Sequence, residues 1–378
     1  MRLHCLQIPH TLPTRAYSHC AFTQKARLFP GMMRTQGYHT IAYGNGDGRE
    51  VQADEWVSLF DEDEYHHLLG PIEPTDLIGT RADSGTALYQ QFNYGLRFEL
   101  SERLAPGDVI CLPFGTAHET AVKTLPLVQS HDVALIETGI GYSEPFTLYR
   151  VYESNAWRHW MLGHEGREGS MWGSPRLEWV VPNYYDPLDW PLVRPSRRPT
   201  TVVYLGRLQT IKGLDLVSEL AQRMPDLTFE ICGQGDPAPF LTSANICYRP
   251  PITGRERTAF LGNARAAIFP SRFVEPFCGA AVEAMLCGTP VVTSDFGAFT
   301  ETVLPGVSGY RCRTVDGWVQ ALRDVETLDR ATVSATARNR YTIPAVGPLY
   351  REVFEELQAA NWQPHLLGNG PPLLGSSQ

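Results

Sequence analysis

The chain has no C-x-x-C pair, no apolar run long enough to cross a bilayer, no excess of basic residues and no complete G-x-G-x-x-G fingerprint. Each absence narrows the field. The eight cysteines, at positions 5, 20, 111, 232, 247, 278, 287 and 312, are scattered and several lie in apolar runs. That distribution suits buried thiols in a reducing compartment better than a disulfide framework or a zinc site. Acidic residues outnumber basic ones 41 to 32, a net charge of −9, which disfavours a nucleic-acid scaffold. The opening Met1-Arg2-Leu3-His4-Cys5-Leu6-Gln7-Ile8-Pro9 holds too short an apolar segment for a signal peptide. A cytoplasmic protein with no transmembrane segment is therefore expected. Asp61-Glu62-Asp63-Glu64-Tyr65-His66-His67 has the residue types of a metal site, but consecutive acids do not converge on one ion. A solvated helix start accounts for them better, and no metal is expected. Gly233-Gln234-Gly235-Asp236 lacks the rest of a dinucleotide fingerprint, so no NAD or FAD is expected either.

What is present is a folded chain of two-domain length: 378 residues, 43% hydrophobic and 19% charged. Apolar runs alternate with segments of helical spacing. In the first half, residues 3–8, 39–43, 108–114 and 132–136 read as strands, and 21–36 and 87–104 as helices, with Pro30 bending or interrupting the former. The aromatic stretch 146–162, with Tyr149, Tyr152, Trp157 and Trp160, reads as helical, either core or sugar-stacking. Residues 191–199, rich in proline and arginine, look like a linker. In the second half, residues 200–205, 227–232, 266–269 and 291–293 read as strands, and Thr253-Gly254-Arg255-Glu256 as a capping box. Such alternation points to parallel sheets, whose ligands sit beyond the carboxyl ends of the strands. That rule selects His10, Thr11, Arg15, His118, Glu137, Thr138, Gly139 and Gly141 in the first half. A surface or structural role stays open for each histidine.

In the second half the rule selects Gly206-Arg207 and Lys212-Gly213, where two cations flank a strand-to-helix junction suited to a diphosphate, or form a solvated pair. It also selects Glu275-Pro276-Phe277-Cys278-Gly279-Ala280-Ala281-Val282-Glu283, in which two carboxylates bracket a loop-to-helix junction. Free NH groups there favour electron-rich ligand oxygens, and carboxylates accept hydrogen bonds from hydroxyls.

Together with Gly233-Gln234-Gly235, Pro270-Ser271, Gly288-Thr289-Pro290-Val291-Val292 and Gly297 with Glu301, these motifs resemble the nucleotide-sugar half of the family 4 retaining glycosyltransferases. The likeness covers residues 200–312; Asn183 with Asp186 resembles the end of that family's acceptor domain. It implies the GT-B fold, α/β, with two Rossmann-like domains whose parallel sheets face a central cleft and a C-terminal helix crossing back to the first domain. The expected divisions are an acceptor-binding domain 1–190, the linker 191–199, a nucleotide-sugar domain 200–340, a crossover helix 341–362 and a tail 363–378.

The resemblance implies a nucleoside diphosphate sugar as donor, a glycan or other hydroxyl as acceptor, and no cofactor. Arg207 and Lys212 are expected to neutralise the diphosphate, Glu275 to contact the transferred sugar, and Glu283 to accept from the ribose hydroxyls. Gly206, Gly233 and Gly235 are the expected donor-loop glycines, and Phe277, Cys278 and Gly279 supply backbone NH groups. The family usually has glycine where this chain has Cys278, and a larger aliphatic at Gly279. The first half matches less well, so His10, Thr11, Arg15, His118, Glu137 and Gly139 remain acceptor-side candidates from strand position alone. The implied activity is retaining, metal-independent hexosyl transfer. A sugar-nucleotide epimerase or phosphorylase, or a non-catalytic sugar-nucleotide-binding protein, are the alternatives.

Overall fold

Near-continuous apolar runs such as Val202-Val203-Tyr204-Leu205 and Ala266-Ala267-Ile268-Phe269 suit strands buried on both faces, the condition of a parallel sheet under helices. The computed structural model, which describes residues 1–70, 83, 85–165, 177–196 and 199–359, contains two such sheets. The first comprises β1 (Arg2–Leu6), β2 (His39–Asn45), β3 (Glu55–Phe60), β4 (Val109–Leu112), β5 (Ala134–Ile140), β6 (Tyr149–Tyr152) and β7 (Leu177–Val180), in the order β3-β2-β1-β4-β5-β6-β7. The second comprises β8 (Thr201–Leu205), β9 (Thr228–Cys232), β10 (Ile246–Arg249), β11 (Ala266–Phe269), β12 (Val291–Ser294) and β13 (Gly309–Cys312), in the order β10-β9-β8-β11-β12-β13. Every pairing is parallel. Strand order therefore reverses between β1 and β4 in one sheet and between β8 and β11 in the other. A crevice opens at such a reversal, because the connections from the two strands leave toward opposite faces.

Helix Ile343–Ala359 leaves the second domain and packs on helix Ala21–Thr35 of the first. Its Tyr350 meets Phe29 edge-on and its Phe354 meets the same ring tilted, with ring centroids 5.2 and 6.4 Å apart. Val353, Phe354 and Leu357 are buried in the first domain's core, so this is the expected returning helix. The two domains also touch across the cleft mouth. Ser154 Oγ donates to the Pro276 carbonyl at 2.6 Å, and the Glu301 carboxylate accepts from the Asn155 and Ala156 amides at 2.9 and 2.8 Å. Glu301 thus caps the N-terminus of helix Asn155–His164 from the opposite domain.

Several local expectations change. Helix Ala21–Thr35 runs through Pro30 without a break. Tyr149 and Tyr152 lie in β6, and the helix begins only at Asn155. Thr253 precedes helix Gly254–Gly262, yet its side chain makes no capping hydrogen bond. The acidic run 61–64 does start a helix, Glu62–Leu69, with the Asp61 carboxylate accepting from the Glu64 amide. No described helix is long and apolar enough to cross a membrane. The expected tail 363–378 lies outside the described residues.

Candidate active site

The reversal between β8 and β11 brings two strand exits together, residues 206–213 and 270–279. Between them and the first domain lies a cavity of about 290 Å³. Gly206, Arg207, Lys212, Gly233, Phe277, Cys278, Gly279, Glu275 and Glu283 all line it, so the donor-side candidates converge except Gly235, which is not among the lining residues. The approach of the loops explains one glycine directly: a Cβ on Gly233 would sit 1.8 Å from the Gly206 carbonyl oxygen. Gly233 is there to let two strand-end loops cross, a sufficient reason without any dinucleotide.

Helix Gly279–Leu286 starts at the cavity wall. Its first amides, on Gly279 and Ala280, have no acceptor among the described residues, as expected at a helix N-terminus. Cys278, at the N-cap, has φ 65° and ψ 70°, a left-handed conformation that disfavours any side chain. The cysteine thus keeps the backbone path that a glycine would take there. Burial pushes its thiol pKa up, so it is held as the neutral thiol.

Both bracketing glutamates are buried, at 5% and 7% exposure, and both are paired. Glu275 Oε1 accepts from Lys212 Nζ at 2.8 Å and from Ser271 Oγ, while Lys212 also lies 4.4 Å over the Phe273 ring. Glu283 Oε2 accepts from Arg257 Nε at 2.7 Å and from Arg257 Nη2. Burial raises the Glu283 pKa, and the Arg257 charge and hydrogen bonds oppose that rise. Glu275 Oε2 and Glu283 Oε1 make no hydrogen bond among the described residues, so each carboxylate keeps one oxygen for a ligand. Arg207 differs from the other cations: it is exposed to the cavity and no carboxylate pairs with it among the described residues. Lys212, expected with Arg207 to neutralise a diphosphate, is held by Glu275.

The first-domain candidates are placed differently. His10 is 4% exposed, its Nδ1 lies 2.5 Å from Tyr89 Oη, and burial lowers its pKa to about 4. Thr11 pairs with Thr23 at 2.6 Å. His118 is fully buried, lowered to about 3 by burial and by nearby His10. Glu137 accepts from Tyr142 Oη at 2.9 Å and from the Thr147 amide and hydroxyl at 2.9 and 2.7 Å; burial raises its pKa against these bonds. Neither histidine, nor Thr11, nor Glu137 lines the cavity. His10, Thr11 and His118 follow strand ends but are covered by neighbouring elements, and Glu137 lies inside β5, which runs on to Ile140 past the expected strand end. Arg15 lines an adjoining cavity of about 670 Å³ and is bound by Glu50 and Asp189. Gly139 offers its carbonyl to Lys25 Nζ at 2.7 Å, and Gly141 does reach the cavity.

The first-domain wall includes Ser18, His19, Phe22, Lys25, Glu153 and Asn183 as well as Gly141. Of these, Gly141 and Asn183 carried a signal in the sequence. Lys25 lies inside a helix and Glu153 in a stretch that reads as helix, and the two pair across 128 positions. Arg257, within helix Gly254–Gly262, was likewise without a local signal.

The fold is GT-B: the chain aligns with AviGT4, a glycosyltransferase involved in avilamycin A biosynthesis, over 95% of its length and 98% of that chain, with TM-score 0.64 and 17% identity. It aligns equally with Anabaena Alr3699/HepE, solved in complex with UDP-glucose, over 95% and 100% of the two chains, with TM-score 0.64 and 15% identity. Residues 199–327 match the model of the family described as glycosyl transferases group 1. Over 162 residues the chain is 35% identical to a glycogen synthase of Mycobacterium tuberculosis, a match covering 39% of each protein. A D-inositol 3-phosphate glycosyltransferase of Paenarthrobacter aurescens is 29% identical over 145 residues, 33% of this chain and 35% of that protein. The matches thus span between a third and two fifths of these curated relatives' length.

Proposed function

We propose that the protein transfers a sugar from a nucleoside diphosphate donor to an acceptor hydroxyl with retention at the anomeric carbon. The observation that carries this reading is the unpaired Arg207 beside the open N-terminus of helix Gly279–Leu286, flanked by two carboxylates that each keep one free oxygen. Arg207 and the Gly279 and Ala280 amides receive the diphosphate, and Lys212 adds its remaining N–H donors from its seat on Glu275. Glu283 Oε1 accepts from the ribose hydroxyls and Glu275 Oε2 from the transferred sugar.

In the reaction the bond between the anomeric carbon and the diphosphate oxygen breaks, and its electron pair leaves with the diphosphate. The acceptor oxygen forms the new bond on the same face and gives its proton to a phosphate oxygen of the leaving group. Arg207 stabilises the charge that develops on that group, in a site preorganised by its neighbours' pairing. No metal and no cofactor enters this scheme.

Product analysis tests the reading. Incubating nucleotide sugars with a panel of hydroxyl acceptors is expected to release nucleoside diphosphate and a glycoside with the donor's anomeric configuration, read by proton NMR. A donor with changed sugar stereochemistry marks an epimerase, formation of a sugar 1-phosphate from a glycan and added inorganic phosphate marks a phosphorylase, and binding without turnover over the whole panel marks a binding protein. Any of these three overturns the transferase reading.

A further inference from the structure

Every cation facing the cavity other than Arg207 is matched by a carboxylate: Lys212 by Glu275, Arg257 by Glu283 and Lys25 by Glu153. The third pair forms the first-domain wall and has no part in the donor site. Lys25 and Glu153 are 4% and 6% exposed. Lys25 Nζ is held by Glu153 Oε1, by the Gly139 carbonyl and by the Phe22 ring at 4.5 Å. Gly141 packs so closely that a Cβ there would lie 2.8 Å from the Glu153 carboxylate. Glu153 Oε2 makes no hydrogen bond among the described residues.

A buried ion pair rarely stabilises a fold over an apolar substitute, so its retention at a cavity wall calls for another reason. Three further polar atoms of the same wall have no partner among the described residues: Ser18 Oγ, His19 Nε2 and Asn183 Oδ1. Asn183 is 5% exposed, and a buried amide oxygen without a donor is costly unless a ligand or water supplies one. Burial, with the nearby Arg257 charge, lowers His19 to about 4, so it adds no positive charge near neutral pH. Among the described residues, the wall therefore offers hydrogen-bond acceptors in Glu153 Oε2 and Asn183 Oδ1 and no uncompensated cation. A polyol supplies hydroxyl donors to such a wall, whereas a phosphate or carboxylate supplies only acceptors and negative charge.

We infer that the first-domain wall, with Glu153 and Asn183 as its hydrogen-bond acceptors, is the acceptor subsite, and that it takes an uncharged polyol or sugar and rejects phosphorylated ones. This rests on the donor reading above, which leaves Arg207 to the diphosphate. Glu153 and Asn183 bind the acceptor's hydroxyls, and Lys25 and Gly141 are positioning residues that hold the Glu153 carboxylate in place.

The test begins by loading the protein with whichever of UDP, GDP or ADP raises its melting temperature. The loaded protein is then titrated with glucose, glucose 6-phosphate, myo-inositol and myo-inositol 1-phosphate, followed by ligand-observed NMR. The expected result is saturable binding of at least one neutral polyol, at least tenfold tighter than its phosphorylated counterpart. Glu153→Gln leaves Lys25 with surplus positive charge and is expected to invert that preference, which a merely structural tie would not do. Asn183→Ala is expected to weaken the neutral polyol about tenfold while leaving the preference for it intact, and it serves should Glu153→Gln not fold. Equal or tighter binding of a phosphorylated probe to the wild type overturns the inference, as do binding of none of the four probes and an unmoved preference in a folded Glu153→Gln protein. If no nucleoside diphosphate binds, the donor reading fails instead, and the polyol titration of the unloaded protein still reports on the wall.

Discussion

Removing Arg257 isolates what holds the donor wall together. Arg257→Met keeps the length of the side chain but leaves Glu283, 7% exposed, without its cation. Taking one partner from a buried pair costs about 3–5 kcal/mol, because the remaining charge is buried uncompensated. For a chain of this size that lowers the melting temperature by about 4–6 °C. The loss depends on pH in a defined sense. Burial already raises Glu283 above its ordinary 4.5, so folding favours its protonated form; without Arg257, the opposing influence, that pKa rises further. The penalty is absent below the unfolded-state pKa, grows as pH rises through it, and is complete above the folded-state pKa. Arg257→Met is therefore expected to be near wild-type stability at pH 4 relative to its deficit at pH 8, measured by urea unfolding at both. The double variant Arg257→Met/Glu283→Leu is expected to recover most of the loss at pH 8, since it removes both charges. An equal deficit at the two pH values, or no recovery in the double variant, would refute the assignment of Glu283 as a buried carboxylate held by Arg257.

Three further outcomes follow from the loops around the cavity. Cys278 holds φ 65°, so Cys278→Gly is expected to be more stable than Cys278→Ala by about 1 kcal/mol in chemical denaturation, the reverse of the order at an ordinary helix position. Gly233→Ala places a Cβ 1.8 Å from the Gly206 carbonyl and is expected to cost more than about 1 kcal/mol of stability, together with nucleotide binding by fluorescence or calorimetry. Glu301→Ala removes the carboxylate that accepts from the Asn155 and Ala156 amides at the start of a helix whose N-cap is Ser154, a contribution of about 0.3–1 kcal/mol. Faster hydrogen exchange is expected at the start of helix Asn155–His164, with the core strands unchanged.

How far the sequence disclosed this site depends on whether the signal was local. Strands β8, β11 and β12 are central, buried on both faces and written as unbroken apolar runs, so their ends were readable and with them Arg207, Glu275 and Glu283. Strands β3 and β10 escaped notice because both are edge strands, where mixed polar and apolar residues are normal. Tyr149 and Tyr152 were assigned to a helix because an aromatic-rich stretch of four residues fits either period; they lie in β6. His10, Thr11 and His118 do follow strands, as the rule demands, but the rule selects an end of the sheet and not a surface, and β5 extends beyond Glu137 to Ile140. Later elements cover them, with Tyr89 of helix Ala87–Arg103 on His10 and Thr147 on Glu137. The pairs Lys25 with Glu153 and Arg257 with Glu283 form only when distant elements pack, so nothing in the neighbouring residues announces them.

In the proposed function the cavity between the domains holds the diphosphate of a nucleotide donor against Arg207. Calorimetric titration of UDP, GDP and ADP into the wild-type protein and into Arg207→Ala is the decisive experiment. At least one nucleotide is expected to bind the wild type, and the variant is expected to bind it about 1.5–3 kcal/mol more weakly, the range for a hydrogen bond to a charged group. That corresponds to a dissociation constant roughly 10 to 150 times larger. Binding of none of the three, or an Arg207→Ala protein with unchanged affinity, would contradict it.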